Sequence, residues 1–243
     1  MSAILSVKFL TKEFGTLKAV NDCSFDVEEG SITALIGPNG SGKTTVFNLV
    51  TGYIQRQDGV VTFDGADVSK EHAGELYRRG LTRTFQQSRV FGDLTVQENL
   101  VVAKGGSWKS IFSRRVSKED QMQADALLEE FKLSHVAELY ANELSWGQRK
   151  LLEFASVLMS KPKLVLLDEP TAGVNPILIE TMADHIRNYN KLGVTFLIVE
   201  HDMSFVMRVC DPVIVLDRGK PIAQGTPDVV QSDPRVLDAY LGD

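Results

Sequence analysis

Apolar and polar residues alternate over positions 4–11 and 19–27. That two-residue period belongs to strands with one face on a core and the other in water, so the chain is expected to open with a small antiparallel sheet. Residues 31–36 form a buried strand that runs into a glycine-rich turn, and residues 43–52 then follow the pattern of a helix. Residues 59–63 predict another strand, Asp64-Gly65 a hairpin-type turn, and residues 82–86 a further short extended piece. From about residue 87 to residue 160 the character turns helical. Residues 117–132 carry Met122, Ala126, Leu127 and Phe131 close to a 3.6-residue period, which predicts an amphipathic helix. Two strand–helix units follow, a strand at 164–167 with a helix from about Pro176 and a strand at 194–199 with a helix near Met203, and a strand at 213–216 completes the pattern. Strands alternating with helices imply a parallel sheet covered on both faces, with ligands at the carboxyl ends of its strands. The expected fold class is α/β: one domain, with residues 1–86 and 161–243 as a parallel-sheet core plus an N-terminal antiparallel β-subdomain, and residues 87–160 as a helical subdomain.

Composition narrows the range of functions. Of 243 residues, 43% are hydrophobic and 24% charged, a globular balance. The net charge of −6 argues against a sequence-independent grip on nucleic acid, which needs a dense basic face. No apolar run approaches the roughly 18 residues that cross a bilayer, and Lys8 and Lys12 follow the first apolar run instead of preceding it, so neither a membrane span nor a secretion signal is expected. Cys23 and Cys210 are far apart and outside any metal-like spacing; they are expected to be reduced, buried thiols of a cytoplasmic protein. Residues 104–118, locally basic and polar, are expected to form a solvated loop.

Two motifs carry chemistry. Gly37-Pro38-Asn39-Gly40-Ser41-Gly42-Lys43-Thr44 fits G-x-x-x-x-G-K-[ST] in full and lies between a predicted strand and a predicted helix. Glycines let such a loop turn its backbone N–H groups onto phosphate oxygens, and the helix start adds its positive dipole end. Polyphosphate is the implied ligand, with Lys43 on the β- and γ-phosphates, Thr44 on Mg²⁺ and Thr45 near the α-phosphate. The second motif is Asp168-Glu169, which ends the apolar run 164–167 as the C-terminal edge of a central parallel strand. Alternation along the extended chain points the two carboxylates in different directions. Asp168 is then placed to hold a magnesium-bound water, and Glu169 to polarise the water that attacks the γ-phosphate.

With these motifs the chain resembles the ABC ATPases over nearly its whole length, which implies a parallel-sheet P-loop ATPase core with ATP and Mg²⁺ as cofactors. Leu144-Ser145-Trp146-Gly147-Gln148 stands where that family has L-S-G-G-Q, so Ser145, Gly147 and Gln148 carry over as contacts to the γ-phosphate of ATP held by an opposite subunit. Trp146 replaces a glycine, and a positive φ there would be strained by an estimated 1 kcal/mol or more; its ring is expected at the subunit interface or against ribose. Gln86, with Gln87 as the alternative register, resembles the glutamine that senses γ-phosphate and Mg²⁺. Residues 172–175 resemble the D-loop, His201 the switch histidine, and Phe14 the aromatic residue that stacks on adenine. His72, His135 and His185 are expected to be structural.

The resemblance implies an ATP-driven dimer, homodimeric or with a paralogous ATPase, in which each ATP lies between one subunit's phosphate loop and the other's signature. It also implies permease subunits across the membrane, an external substrate-binding protein, and a peripheral place on the cytoplasmic face of the inner membrane. Arg83-Thr84-Phe85-Gln86, residues 94–100, Glu200-His201-Asp202-Met203 with Val206-Met207, and the ending Ala239-Tyr240-Leu241-Gly242 resemble the branched-chain amino acid importer ATPases. ATPases of lipid or lipopolysaccharide exporters share parts of this set and stand as the alternative, with non-transport ABC ATPases beyond them.

Overall fold

The computed structural model of the chain describes residues 2–85, 90–104 and 117–241. Gln86, Gln87 and most of the polar stretch 104–118 lie outside the described residues. The opening strands β1 (Ala3–Phe14) and β2 (Leu17–Glu28) pair antiparallel, and β4 (Asp58–Phe63) and β5 (Ala66–Asp67) extend the sheet in the order β2-β1-β4-β5. The predicted turn between β4 and β5 is present: Asp64 and Gly65 have φ of 49° and 75°, the left-handed pair that a two-residue hairpin requires.

The second sheet places β3 (Ile32–Ile36), β6 (Leu81–Arg83), β7 (Leu164–Asp168), β8 (Thr195–Val199), β9 (Val213–Asp217) and β10 (Lys220–Gly225) in the order β10-β9-β3-β8-β7-β6. Every neighbouring pair is parallel except β9 with β10. The central strands are buried on both faces, and alternation divides their side chains between two cores. Ala34, Ile36, Val165, Leu167, Phe196 and Ile198 point into the core shared with the helices between β6 and β7. Leu35, Leu164, Leu166, Leu197 and Val199 point into the core shared with the antiparallel sheet. This two-sided burial is why these runs read as continuously apolar.

The helices are α1 (Lys43–Val50), α2 (Ala73–Arg79), α3 (Val96–Ala103), α4 (Lys118–Glu130), α5 (Trp146–Leu158), α6 (Pro176–Lys191), α7 (Met203–Val209), α8 (Pro227–Gln231) and α9 (Pro234–Leu241). Their starts follow local chemistry. Thr95 caps α3, Ser145 caps α5, Asn175 followed by Pro176 caps α6, and Asp202 caps α7, each side chain accepting from an otherwise orphaned backbone N–H. In α4 the buried stripe is Ala124, Leu127, Leu128 and, just past the helix, Phe131; Met122 and Ala126 are exposed. The expected period is correct but its face is rotated, because the spacing 124, 127, 128, 131 is the one that keeps four apolar side chains on the core. The pattern did not predict α2, β10, α8 or α9, all short elements whose apolar residues cover too few turns to show a period.

No helix among the described residues is long and apolar enough to cross a membrane. Both cysteines are free and buried, and burial pushes each thiol up to about 12.

Candidate nucleotide-binding site

The site begins at the carboxyl end of β3, where the chain turns through residues 37–42 into α1. Gly37 and Gly42 are required by space as well as by conformation. With φ of 150° and 103°, their added Cβ atoms would stand 2.1 Å from the Leu216 carbonyl oxygen and 2.5 Å from that of Ala19. The Lys43 ammonium donates to the carbonyls of Gly37 (2.8 Å) and Pro38 (2.9 Å) and lies 3.4 Å from Ser41 Oγ. Burial lowers the Lys43 pKa, while the carboxylates of Glu169 and Asp168 oppose that shift, so both acids act electrostatically on the loop's cation.

Asp168 and Glu169 diverge as alternation requires. The Asp168 side chain is buried and paired with Arg83 at 2.9 Å. Desolvation raises its pKa, and the adjacent guanidinium pulls the other way. Glu169 leaves the strand with φ of 49°, an uncommon left-handed conformation for a side-chain-bearing residue, and its N–H donates to Val199 O at 2.9 Å. This turn delivers the Glu169 carboxylate to His201 Nε2, 3.0 Å from Oε1. An open cleft of about 610 Å³ is lined by Phe14, Asn39, Gly40, Gly42, Lys43, Thr44, Thr45, Glu169 and His201, together with Leu17, Lys18, Ala19 and Arg218. Five separated regions of sequence, at 14–19, 39–45, 169, 201 and 218, thus meet at one surface. Oxygen donors at Thr44 and Asp168 are the ligand type that Mg²⁺ takes.

Ser145, Gly147 and Gln148 do not line this cleft; they form the first turn of α5. Ser145 Oγ lies 2.8 Å from Gln148 Oε1, and the same oxygen accepts the Ser145 N–H at 3.0 Å. Gly147 leaves room for α6, since a Cβ there would meet Leu178 Cδ2 at 2.8 Å. Trp146 is the first residue of a regular helix and has no positive φ, so the strain expected of a glycine replacement is absent. Within the chain its indole packs against the turn that follows β7. Nε1 donates to Ala172 O at 3.3 Å, the ring covers Gly173, and the Lys150 ammonium stands 5.6 Å from its centroid.

Pattern reading missed several residues that organise the site. Buried Glu200 accepts from Thr171 N–H (2.8 Å), Thr171 Oγ1 (2.6 Å), His201 N–H (2.9 Å) and Asp202 N–H (3.3 Å), so one carboxylate ties the loop after β7 to the histidine segment. Buried Glu153 of α5 accepts the Phe85 N–H at 2.9 Å, next to the residues entering 86–89. The Tyr240 hydroxyl of α9 meets the Gly37 backbone; burial raises its pKa and that hydrogen bond lowers it. Only the adjacency of Glu200 to His201 could have signalled any of these from sequence.

A strand, a glycine loop and a helix, with a carboxylate pair ending a neighbouring parallel strand, define a phosphate-loop nucleotide-binding protein. The chain belongs to the ABC transporter family, whose profile matches residues 20–172, and it is an ATP-hydrolysing cassette subunit of that family. The profile of the branched-chain amino acid ATP-binding cassette transporter matches residues 220–243. The chain is 41% identical to the probable branched-chain amino acid transport ATP-binding protein LivG of Archaeoglobus fulgidus, over 98% of this chain and 95% of that one. It is 39% identical to the high-affinity branched-chain amino acid transport ATP-binding protein BraF of Pseudomonas aeruginosa, over 99% and 98%. The crystal structure of an ATP-binding cassette of an ABC transporter in its ADP conformation superposes with a TM-score of 0.89 at 38% identity, covering 100% of both chains.

Proposed function

We propose that this chain powers an importer of branched-chain or related amino acids by Mg²⁺-dependent ATP hydrolysis, as one of two ATPase subunits seated on separate permease subunits at the cytoplasmic face of the membrane. The observation that carries the catalytic reading is the contact of His201 with Glu169 in the cleft that also exposes Lys43, Thr44 and Thr45. The loop from Gly37 to Thr45 binds the phosphates through backbone N–H groups and Lys43, and Phe14 at the cleft rim stacks on adenine. Thr44 and Asp168, with Gln86 from outside the described residues, hold Mg²⁺, which neutralises phosphate charge when bound. Glu169 polarises the attacking water and His201 fixes the carboxylate and meets the γ-phosphate, so the bond to the ADP leaving group breaks as the new P–O bond forms.

Ser145, Gly147 and Gln148 complete the site of the opposite subunit, which accounts for a phosphate-binding helix start that lies outside its own chain's cleft. The dimer closes on ATP and opens after hydrolysis. The substrate class rests on the names of LivG and BraF and on the profile match at the C-terminal end. Reconstitution with co-purified permease subunits tests it: leucine-, isoleucine- or valine-loaded binding protein is expected to stimulate ATP turnover. Turnover that needs no binding protein and rises with lipid would overturn the importer reading.

A further inference from the structure

Arg83 ends β6, the edge strand of the parallel sheet, and its side chain is as buried as that of Asp168, at 5% and 4% exposure. Burial on this scale removes a guanidinium from water, which is favourable only when its donors are taken up in good geometry. They are. Nη2 donates to Asp168 Oδ2 at 2.9 Å, Nη1 to Asn48 Oδ1 at 2.7 Å and Thr51 Oγ1 at 3.2 Å, and Nε to Thr84 O at 3.1 Å. The flat faces are covered too, with the Phe85, Tyr53 and Phe47 ring centroids 4.6, 5.4 and 5.8 Å from Cζ. The next residue grips the same acid from the backbone side: Thr84 Oγ1 accepts the Asp168 N–H at 3.2 Å, and Thr84 N–H donates to Leu166 O at 2.9 Å.

A buried ion pair is a poor source of net stability, since well-packed apolar groups of the same volume serve as well or better. What a fixed guanidinium supplies is orientation: with Nη1 and Nε anchored on Asn48, Thr51 and Thr84, the bond from Nη2 fixes the position of Asp168 Oδ2. Its other hand grips Asn48, on the helix that begins with Lys43 and Thr44. We infer that Arg83 is the positioning residue for the magnesium-binding carboxylate, clamping Asp168 in register with the phosphate-loop helix and with the edge strand that leads into residues 86–89. The inference rests on Asp168 being that carboxylate. A Gln keeps length and one amide but loses the charge. A Lys returns a point charge that pairs with Asp168 without reaching Asn48 and Thr51 together.

The test compares the parent with R83Q, R83K and D168N, each checked by thermal melting, and reads binding alone: ADP affinity in EDTA, and Mn²⁺ affinity of the ADP complex by electron paramagnetic resonance. R83Q is expected to bind ADP in EDTA within about twofold of the parent and to lose about 10–100-fold in Mn²⁺ affinity, as loss of a ligand-orienting partner does. R83K is expected at the lower end of that loss, about tenfold, and it decides the matter should R83Q not fold. Mn²⁺ affinity within twofold of the parent in a folded variant overturns the inference, as does an equal loss in EDTA and in Mn²⁺, which marks a merely structural arginine. D168N separates the two levels: a D168N protein that keeps its Mn²⁺ affinity removes Asp168 from the metal site whatever Arg83 does.

Discussion

Glu169 combines backbone strain with chemistry, its φ of 49° costing free energy that the Val199 bond and the His201 contact offset. The proposed role of Glu169 needs a carboxylate for its basicity and not for its shape, so Glu169→Gln is expected to keep the fold and ATP affinity while turnover falls by roughly 100-fold or more. Near-normal turnover of Glu169→Gln in a phosphate-release assay would remove it from the reaction. Lys43 contributes differently, as the cation of the loop. Its Ala variant is expected to lose about 1.5–3 kcal/mol of nucleotide binding, the usual worth of a charge-assisted hydrogen bond, or about 10–100-fold in Kd. Fluorescent-nucleotide titration checks it, and unchanged affinity sinks the assignment. The placement of both residues in one cleft was legible in the sequence, because each sits in a short motif at the carboxyl end of a predicted parallel strand.

The start of α5 and the turn at Gly173 form one unit through Trp146. Gly173 has φ of 74°, and a Cβ there would come within 3.1 Å of the Trp146 indole nitrogen. Gly173→Ala is therefore expected to cost about 1 kcal/mol or more in chemical denaturation, from conformation and crowding together. Trp108 is the only other tryptophan, so a W108F background isolates the indole. Its emission is expected to shift when ATP drives Glu169→Gln into a dimer, and a flat signal during independently observed dimerisation would place Trp146 away from the interface. Elsewhere α4 meets α6 at His185, whose ring stacks on Phe131 with centroids 4.0 Å apart and planes 8° apart. Burial lowers the His185 pKa from its usual 6.5, against the raising effect of Glu130, 3.5 Å from Nδ1. The folded chain then holds the neutral ring and the unfolded chain binds the proton first, so this contribution is present above about pH 6.5 and is lost as pH falls below it. His185→Phe is expected to flatten the fall of Tm on acidification below pH 6.5; an unchanged slope would assign that fall to other groups.

At the scale of the whole molecule, the two cores on opposite faces of one sheet hold the phosphate loop and both carboxylates on a rigid edge. The signature turn stands apart at the head of α5. Such a molecule is expected to be monomeric without nucleotide, and in the Glu169→Gln variant to double its mass on ATP and return on ATP removal. Size-exclusion chromatography with light scattering reads this directly, and a Glu169→Gln protein that hydrolyses slowly yet never doubles would show that the site is complete within one chain. Dimer formation is also expected to be abolished by charge at Ser145, as in Ser145→Glu, because in the proposed dimer a carboxylate there would face the γ-phosphate of the partner's ATP.

By itself the sequence determined what local rules encode: the period-two strands, the buried runs of the parallel sheet, the Asp64-Gly65 hairpin, and the loop and carboxylate motifs. Each of these is set by residues within a few positions of one another, where side-chain period and backbone preference act. Tertiary structure alone decided which groups meet across the chain. Arg83 finds Asp168 85 positions away, Trp146 finds Ala172 26 away, and Glu200 finds Thr171 29 away. No periodicity carries those pairings. The face of α4 was likewise settled by the core it packs against, with Ala124 inside and Met122 outside. Trp146 shows the limit most plainly: a residue that looks like a strained departure when read along the chain is an unstrained helix start in space, because the turn that would have required a glycine is not formed there.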